Sequence, residues 1–139
     1  MIRRGSIFAG AAYFAVVFAI GFVLGTVRVL ALAPRLGELG AGLVELPVIL
    51  TASWFVAAAV VRRFAVPATV PARALMGGTA LILLLAAEAG LAVFLFGRTL
   101  AAHLGSYGEL VPLMGLMGQI AFAAFPLMQI RRASNAKRP

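Results

Sequence analysis

Four long apolar runs, separated by short polar or glycine- and proline-rich segments, dominate the hydrophobic pattern of the chain. Each run approaches the roughly 20 residues that an α-helix needs to cross the hydrocarbon core of a bilayer. The first run, residues 7–27, is longer than the roughly 7 to 15 apolar residues of a secretory signal peptide, so we interpret it as a membrane span. The pattern predicts transmembrane helices over about residues 6–32, 43–61, 74–96 and 110–130.

The segments between these runs predict connections rather than further domains. Pro34 and three nearby glycines predict a short connector after the first span, and residues 64–73, with two prolines, predict a compact loop. We therefore expect an all-α integral membrane protein of one domain, residues 1–139, built as a four-transmembrane-helix bundle. Residues 131–139 are expected to form a polar, basic and disordered cytoplasmic tail.

Composition supports the assignment to a membrane. Of the 139 residues, 63% are hydrophobic and 12% are charged, whereas soluble domains have about 45 to 50% apolar and about 25% charged residues. A chain of this length has room for one domain. The expected environment of most side chains is therefore the lipid bilayer.

The positive charges predict how the chain is oriented. The net charge is +8, and nine of the twelve Lys and Arg residues flank the apolar runs at the termini and in the middle loop. By the positive-inside rule the two termini and the middle loop are cytoplasmic, so we expect an N-in/C-in protein of the bacterial inner membrane. The placement is not that of a nucleic-acid-binding surface. The nine residues are Arg3, Arg4, Arg62, Arg63, Arg73, Arg131, Arg132, Lys137 and Arg138.

Several kinds of chemistry lack the residues that they need. The chain has no cysteine, one histidine and four acidic residues, which excludes thiol chemistry and leaves too few ligands for a metal site. His103 and Tyr107 lie in a polar connector without a nucleophile or carboxylate at a supporting spacing, so we interpret them as interfacial loop residues. We expect no cofactor, no metal and no enzymatic activity.

The polar residues within the spans are the candidate functional residues. A charge at the bilayer centre costs about 2.5 to 3.5 kcal/mol, so each requires a partner or water. At about 1.5 Å per residue, Arg28 and Glu45 lie roughly 11 to 14 Å from the midplane on the outer side, and Glu88 about 4 Å from it. With Gln119 these residues form a predicted intramembrane polar cluster that opens outward. Other interpretations of each residue remain open. Arg28 can extend to the membrane interface, and Glu45 can interact with the helix dipole. Glu88 can be neutral or paired with Arg28.

Small residues predict where helices pack closely. Gly21 and Gly25 have the GxxxG spacing, and Ala86 and Gly90 bracket Glu88 at the same spacing. Pro126 adds a local prediction. Because proline has no N–H, it leaves the carbonyl of a residue one turn earlier, near Phe122, in need of another donor.

Two hypotheses for function follow from the sequence. The favoured one is an accessory or interaction protein whose intramembrane charges are structural and whose partners are a second copy or a larger membrane complex. The alternative is a small dimeric transporter or channel with an outward-facing polar pocket, in which Glu88 binds a proton or cation. Neither hypothesis identifies a substrate.

Overall fold

The computed structural model describes residues 2–136, which form helices joined by short turns, without a strand. Three helical stretches are long and apolar enough to cross a membrane: Ile2–Arg63, Val70–Leu95 and Leu110–Asn135. They indicate a membrane protein, and the predicted all-α class is confirmed for the described residues. The α-helices are α1 Ile2–Val27, α2 Ala33–Arg63, α3 Val70–Gly90, α4 Leu100–Gly105 and α5 Leu110–Asn135.

Two five-residue segments have the wider hydrogen bonding of a π-helix. Arg28–Leu32 joins α1 to α2, and its first carbonyl accepts from the N–H of Ala33, five residues later. Leu91–Leu95 continues α3, and the N–H of Phe96 donates to the carbonyl of Leu91 at 3.1 Å. Both segments lie at the end of the molecule opposite the two chain termini.

The stretch Ile2–Arg63 folds back on itself. As a straight helix its 62 residues would extend for about 93 Å, far more than a bilayer is thick. Gly37 interrupts it with φ 73° and ψ 171°, a conformation that a residue with a Cβ rarely adopts. Arg28 then contacts Glu45, so α2 returns alongside α1. The prediction of a connector between the first two spans is corrected: the segment is helical apart from Gly37.

Each long helix packs against two others: α1 and α5 each contact α2 and α3. Glycines allow the closest approaches. A Cβ on Gly10 would lie 2.5 Å from the Met76 carbonyl oxygen of α3, and one on Gly77 would overlap the Ala123 carbonyl oxygen of α5. A Cβ on Gly118 would lie 2.6 Å from Leu46 Cδ1 of α2.

The predicted packing residues do not occupy these crossings. A Cβ on Gly25 or Gly90 would meet nothing within 4 Å, and one on Gly21 would make ordinary contact with Ile49 at 3.8 Å. Ala86 is exposed. The physical reason is that Gly21 and Gly25 line a cavity, where α1 diverges from α3, rather than a helix crossing.

The core lies toward the end that carries the chain termini. Tyr13 of α1 is fully buried, stacks on Phe122 of α5 with ring centroids 4.2 Å apart, and donates its hydroxyl to the Phe122 carbonyl oxygen at 2.9 Å. This carbonyl is the one that Pro126 leaves without its usual donor. The predicted need for another donor there is confirmed, and the donor is the Tyr13 hydroxyl.

Arg73 differs from its predicted place in a flanking loop. Because α3 begins at Val70, Arg73 lies in its first turn and is 4% exposed. Its Nε donates to the Pro67 carbonyl oxygen at 3.0 Å, and its Nη1 to that of Pro126 at 3.3 Å. Arg73 therefore links the loop before α3 to α5.

The C-terminal segment is also more ordered than predicted. α5 continues to Asn135, so residues 131–135 of the predicted disordered tail are helical. Arg132 lies over the Trp54 ring, 5.3 Å from its centroid, which holds this turn against α2. Lys137 and Arg138 lie outside the described residues.

We call the end of the helices with Arg3, Arg4, Arg62, Arg63, Arg131 and Arg132 the basic end. The opposite end, with the turn at Gly37 and the short helix α4, is called the far end.

Candidate functional site

A cavity of about 630 Å³ lies between α1, α2, α3 and α5. Its wall is mostly apolar, with a small number of polar side chains. All four residues of the predicted polar cluster line it, and Thr26 and Ser53 add hydroxyl groups that the sequence did not single out. The four are Arg28, Glu45, Glu88 and Gln119.

Arg28 lies between two carboxylates of α2. Its Nε is 2.7 Å from Glu45 Oε2, in an ion pair whose N–H does not point along the contact, and its Nη1 donates to Glu38 Oε2 at 3.5 Å. The side chains of Arg28 and Glu45 are 30% and 20% exposed, whereas that of Glu38 is 71% exposed. The closer pair therefore stabilises the fold-back of α2 on α1, and Glu38 adds a weaker solvated contact.

Glu88 has an amide partner instead of a cation. Gln119 Nε2 donates to Glu88 Oε1 at 2.6 Å, which joins α3 to α5. Gln119 Oε1 is buried and accepts no hydrogen bond from residues 2–136. Within residues 2–136, no oppositely charged side chain comes within 4 Å of Glu88.

The predicted cluster is thus one cavity with two separate polar contacts. Arg28–Glu45 lies on the α1–α2 wall and Glu88–Gln119 on the α3–α5 wall, and no ion pair between Arg28 and Glu88 is present in the described part of the chain. Of the alternatives that the sequence left open, pairing of Glu88 with Arg28 is the one that this arrangement does not contain.

The cavity is open on one side, between α1 and the end of α3. Leu30 of the first π segment and Leu95 of the second both line it and are 74% and 65% exposed. In contrast, Ser53 of α2 and Phe122 of α5 line it and are buried. α1 contacts α3 at Gly10, whereas a Cβ on Gly25 would meet no atom within 4 Å, so the cavity opens between the far-end parts of these two helices.

Polarity changes along the length of the cavity. Its part nearest the basic end is apolar apart from the Ser53 hydroxyl, which donates to the Ile49 carbonyl in its own helix. The charged and amide groups lie nearer the far end. The cavity therefore has an apolar floor and a polar upper part.

A second cavity of about 460 Å³ adjoins the first and is lined by Glu88, Arg98 and His103. His103 Nε2 is 3.4 Å from the Tyr107 hydroxyl, and Arg98 bonds the Ala102 carbonyl oxygen at 3.5 Å. Burial, and then the Glu88 carboxylate, raise the pKa of Tyr107. Glu88 thus faces both the main cavity and the connector that carries His103.

Both π segments adjoin the polar residues. Arg28 is the first residue of one, and the other begins three residues after Glu88. A π turn frequently accompanies a functional site, because it re-aims side chains and frees a carbonyl. The sequence carries no signal for either segment, since both are ordinary apolar stretches.

The site has no features of a metal centre or of a family of known function. Among residues 2–136, no three His, Asp or Glu side chains lie close enough together to hold a metal ion. The chemistry that the cavity offers is ion pairing, hydrogen bonding and apolar contact. In comparisons with protein-family models, curated proteins and solved structures, the chain matches none.

Proposed function

We propose that the chain is a non-enzymatic inner-membrane protein that binds an amphipathic ligand in the cavity, as part of a transport or ligand-carrying role. The observation that supports this function is the cavity of about 630 Å³ itself, with its apolar floor and few converging polar groups. Ligand sites in proteins have volumes of about 300 to 1,000 Å³ and are lined mostly by apolar side chains with a few polar groups. A purely structural role for the charges does not require such a space.

The proposal includes a four-helix bundle with both termini in the cytoplasm. The fold-back at Gly37 makes two spans of the stretch Ile2–Arg63, and the basic end carries most of the cations. A periplasmic reporter fused after His103 is expected to be active, and one fused after Val66 to be inactive. The reverse pattern would overturn the orientation, and equal activity of the two fusions would overturn the four crossings.

The ligand is expected to enter from the bilayer, because exposed apolar side chains line the opening between α1 and α3. Leu30 and Leu95 at this opening are apolar and exposed, so a hydrocarbon chain that passes them stays in contact with apolar groups. From Val17 to Arg28 the cavity wall extends about 16 Å along α1, a length suited to a single alkyl chain.

Filling the cavity is expected to weaken binding while the fold remains. Gly25 lines the cavity and has no atom within 4 Å of a Cβ, so Gly25→Leu places a side chain in the space without a backbone clash. In phosphatidylcholine nanodiscs, saturable binding of radiolabelled dodecanol above that of empty nanodiscs should weaken by about tenfold or more, equivalent to about 1.4 kcal/mol.

The matched control for this substitution is Gly78→Leu. Gly78 also has no atom within 4 Å of a Cβ, but it does not line the cavity. Its replacement should leave dodecanol binding as in the unmodified chain. Equal binding by the Gly25→Leu and unmodified proteins would contradict the proposed site.

The accessory or interaction protein remains the second candidate function. It is favoured by a specific observation: Arg28 and Glu88 each have a partner on another helix of the same chain. In that case a homodimer or a larger membrane complex is the functional unit. The accessory function predicts no saturable dodecanol binding by the unmodified chain, which is where the two candidates differ.

A further inference from the structure

We infer that the ligand of the cavity is a lipophilic cation whose ammonium group binds the Glu88 carboxylate; this inference rests on the proposed function. The charges that line the cavity are one positive and two negative, from Arg28, Glu45 and Glu88. Arg28 and Glu45 neutralise each other at 2.7 Å. Glu88 is left as the acidic group of the wall without an oppositely charged partner among residues 2–136.

The hydrogen bonding around Glu88 also fits a donor group. Gln119 donates to one carboxylate oxygen of Glu88, while its own oxygen accepts no hydrogen bond. A side chain that lies in a low-dielectric environment gains more from an opposite charge than it would in water. An ammonium group near Glu88 would therefore supply both the missing charge and N–H donors.

Two basic side chains of the same chain, Arg98 and His103, lie near Glu88, but neither forms an ion pair with it among residues 2–136. Arg98 and His103 line the second cavity that Glu88 also faces. Neither comes within the 4 Å of an ion pair, and Arg98 is bonded to the Ala102 carbonyl. Among residues 2–136, the Gln119 amide is the hydrogen-bond partner of the Glu88 side chain.

The arrangement favours a cation over a zwitterionic phospholipid or an anion. A phosphate or carboxylate group would need a free cation, but Arg28 is already between Glu45 and Glu38. The ligand class is therefore an alkyl or aromatic amine that partitions into the bilayer. Its amine lies at the level of Glu88, which is about 6 Å from Leu84 along α3, and its apolar part extends along the mostly apolar wall toward Leu30 and Leu95 at the opening.

Three probes with the same twelve-carbon chain test the inference: dodecylammonium, dodecanol and dodecanoate. Binding to the full chain is measured in phosphatidylcholine nanodiscs, with empty nanodiscs as the background and the lipid as an excess zwitterionic competitor. We expect dodecylammonium to bind at least about tenfold more tightly than dodecanol, and dodecanoate to bind most weakly.

Substitution of Glu88 should remove this preference. Glu88→Gln keeps the shape of the side chain and its contact with Gln119, so the ratio of dodecylammonium affinity to dodecanol affinity should fall from at least about tenfold to about one. Glu38→Gln is the matched control, because it removes the same charge from an exposed side chain that does not line the cavity. It should leave the order of the probes unchanged.

The outcomes separate the inference from the proposed function. If the unmodified chain binds all three probes equally, or binds dodecanoate best, the inference is wrong and the ligand site remains. If no probe binds above empty nanodiscs, the proposed function and the inference both fail. The order of the probes on the unmodified chain tests the inference whether or not Glu88→Gln folds.

Discussion

Replacement of Gly77 by alanine is expected to destabilise the protein by about 1 to 3 kcal/mol, the usual cost of overpacking a core. A Cβ at this position would overlap the backbone carbonyl oxygen of Ala123. Because the obstructing atom belongs to the backbone of α5, no side-chain rotation relieves the contact. α3 and α5 must move apart, which also disturbs the bond from Arg73 to the Pro126 carbonyl.

The adjacent residue provides the control for this prediction. A Cβ on Gly78 would meet no atom within 4 Å, so Gly78→Ala should be neutral or stabilising, since alanine favours helix over glycine by about 0.8 to 1 kcal/mol. Equilibrium unfolding in detergent micelles by titration with dodecyl sulfate measures both variants. Equal stability of the two would show that α3 and α5 do not cross at Gly77.

The parts of the fold that depend on one helix alone could be predicted from the sequence. The length of an apolar run determines whether a helix can cross a bilayer, and the absence of an N–H on Pro126 determines which carbonyl needs a donor. Neither inference needs the position of another helix. This is why the apolar helices and the role of the Phe122 carbonyl agree with the structure.

The choice of partners across helices could not be predicted. Counting residues placed Arg28 and Glu45 at similar depths, but depth does not say which way a side chain points around its helix axis. The π segments also change the direction of the residues that follow them, because they add a residue to a turn. Whether Arg28 would meet Glu45 or Glu88 depended on that rotation.

The glycine spacing was uninformative for a related reason. Gly21 and Gly25 have the same spacing as many packing motifs, but a motif does not specify where two helices cross. The crossings use Gly10, Gly77 and Gly118, none of which has another glycine four residues away in the sequence. The consequence for function is that the small residues of α1 widen the cavity instead of closing it.

Substitution of Tyr13 by phenylalanine is expected to cost about 1 to 3 kcal/mol, the range found in proteins for a buried polar group left without its hydrogen bond. The substitution keeps the ring that stacks on Phe122 and removes only the hydroxyl that donates to the Phe122 carbonyl at 2.9 Å. Within a membrane no water replaces this donor. Tyr107→Phe is the control, because its hydroxyl lies in the connector, 3.4 Å from His103, and its loss should change stability by less than about 0.5 kcal/mol.

A second substitution, Pro126→Ala, tests whether the missing proline N–H is the reason for this cost. Alanine restores an N–H to position 126, which can donate to the Phe122 carbonyl in the ordinary α-helical pattern. The Tyr13→Phe change should therefore cost less in the Pro126→Ala background than in the unmodified chain, with a coupling of about 0.5 to 3 kcal/mol between the two sites. Unfolding of the four proteins of this double-mutant cycle measures the coupling. Additive costs would mean that Tyr13 stabilises α1 against α5 by the packing of its ring, and that the carbonyl freed by Pro126 does not depend on the tyrosine hydroxyl.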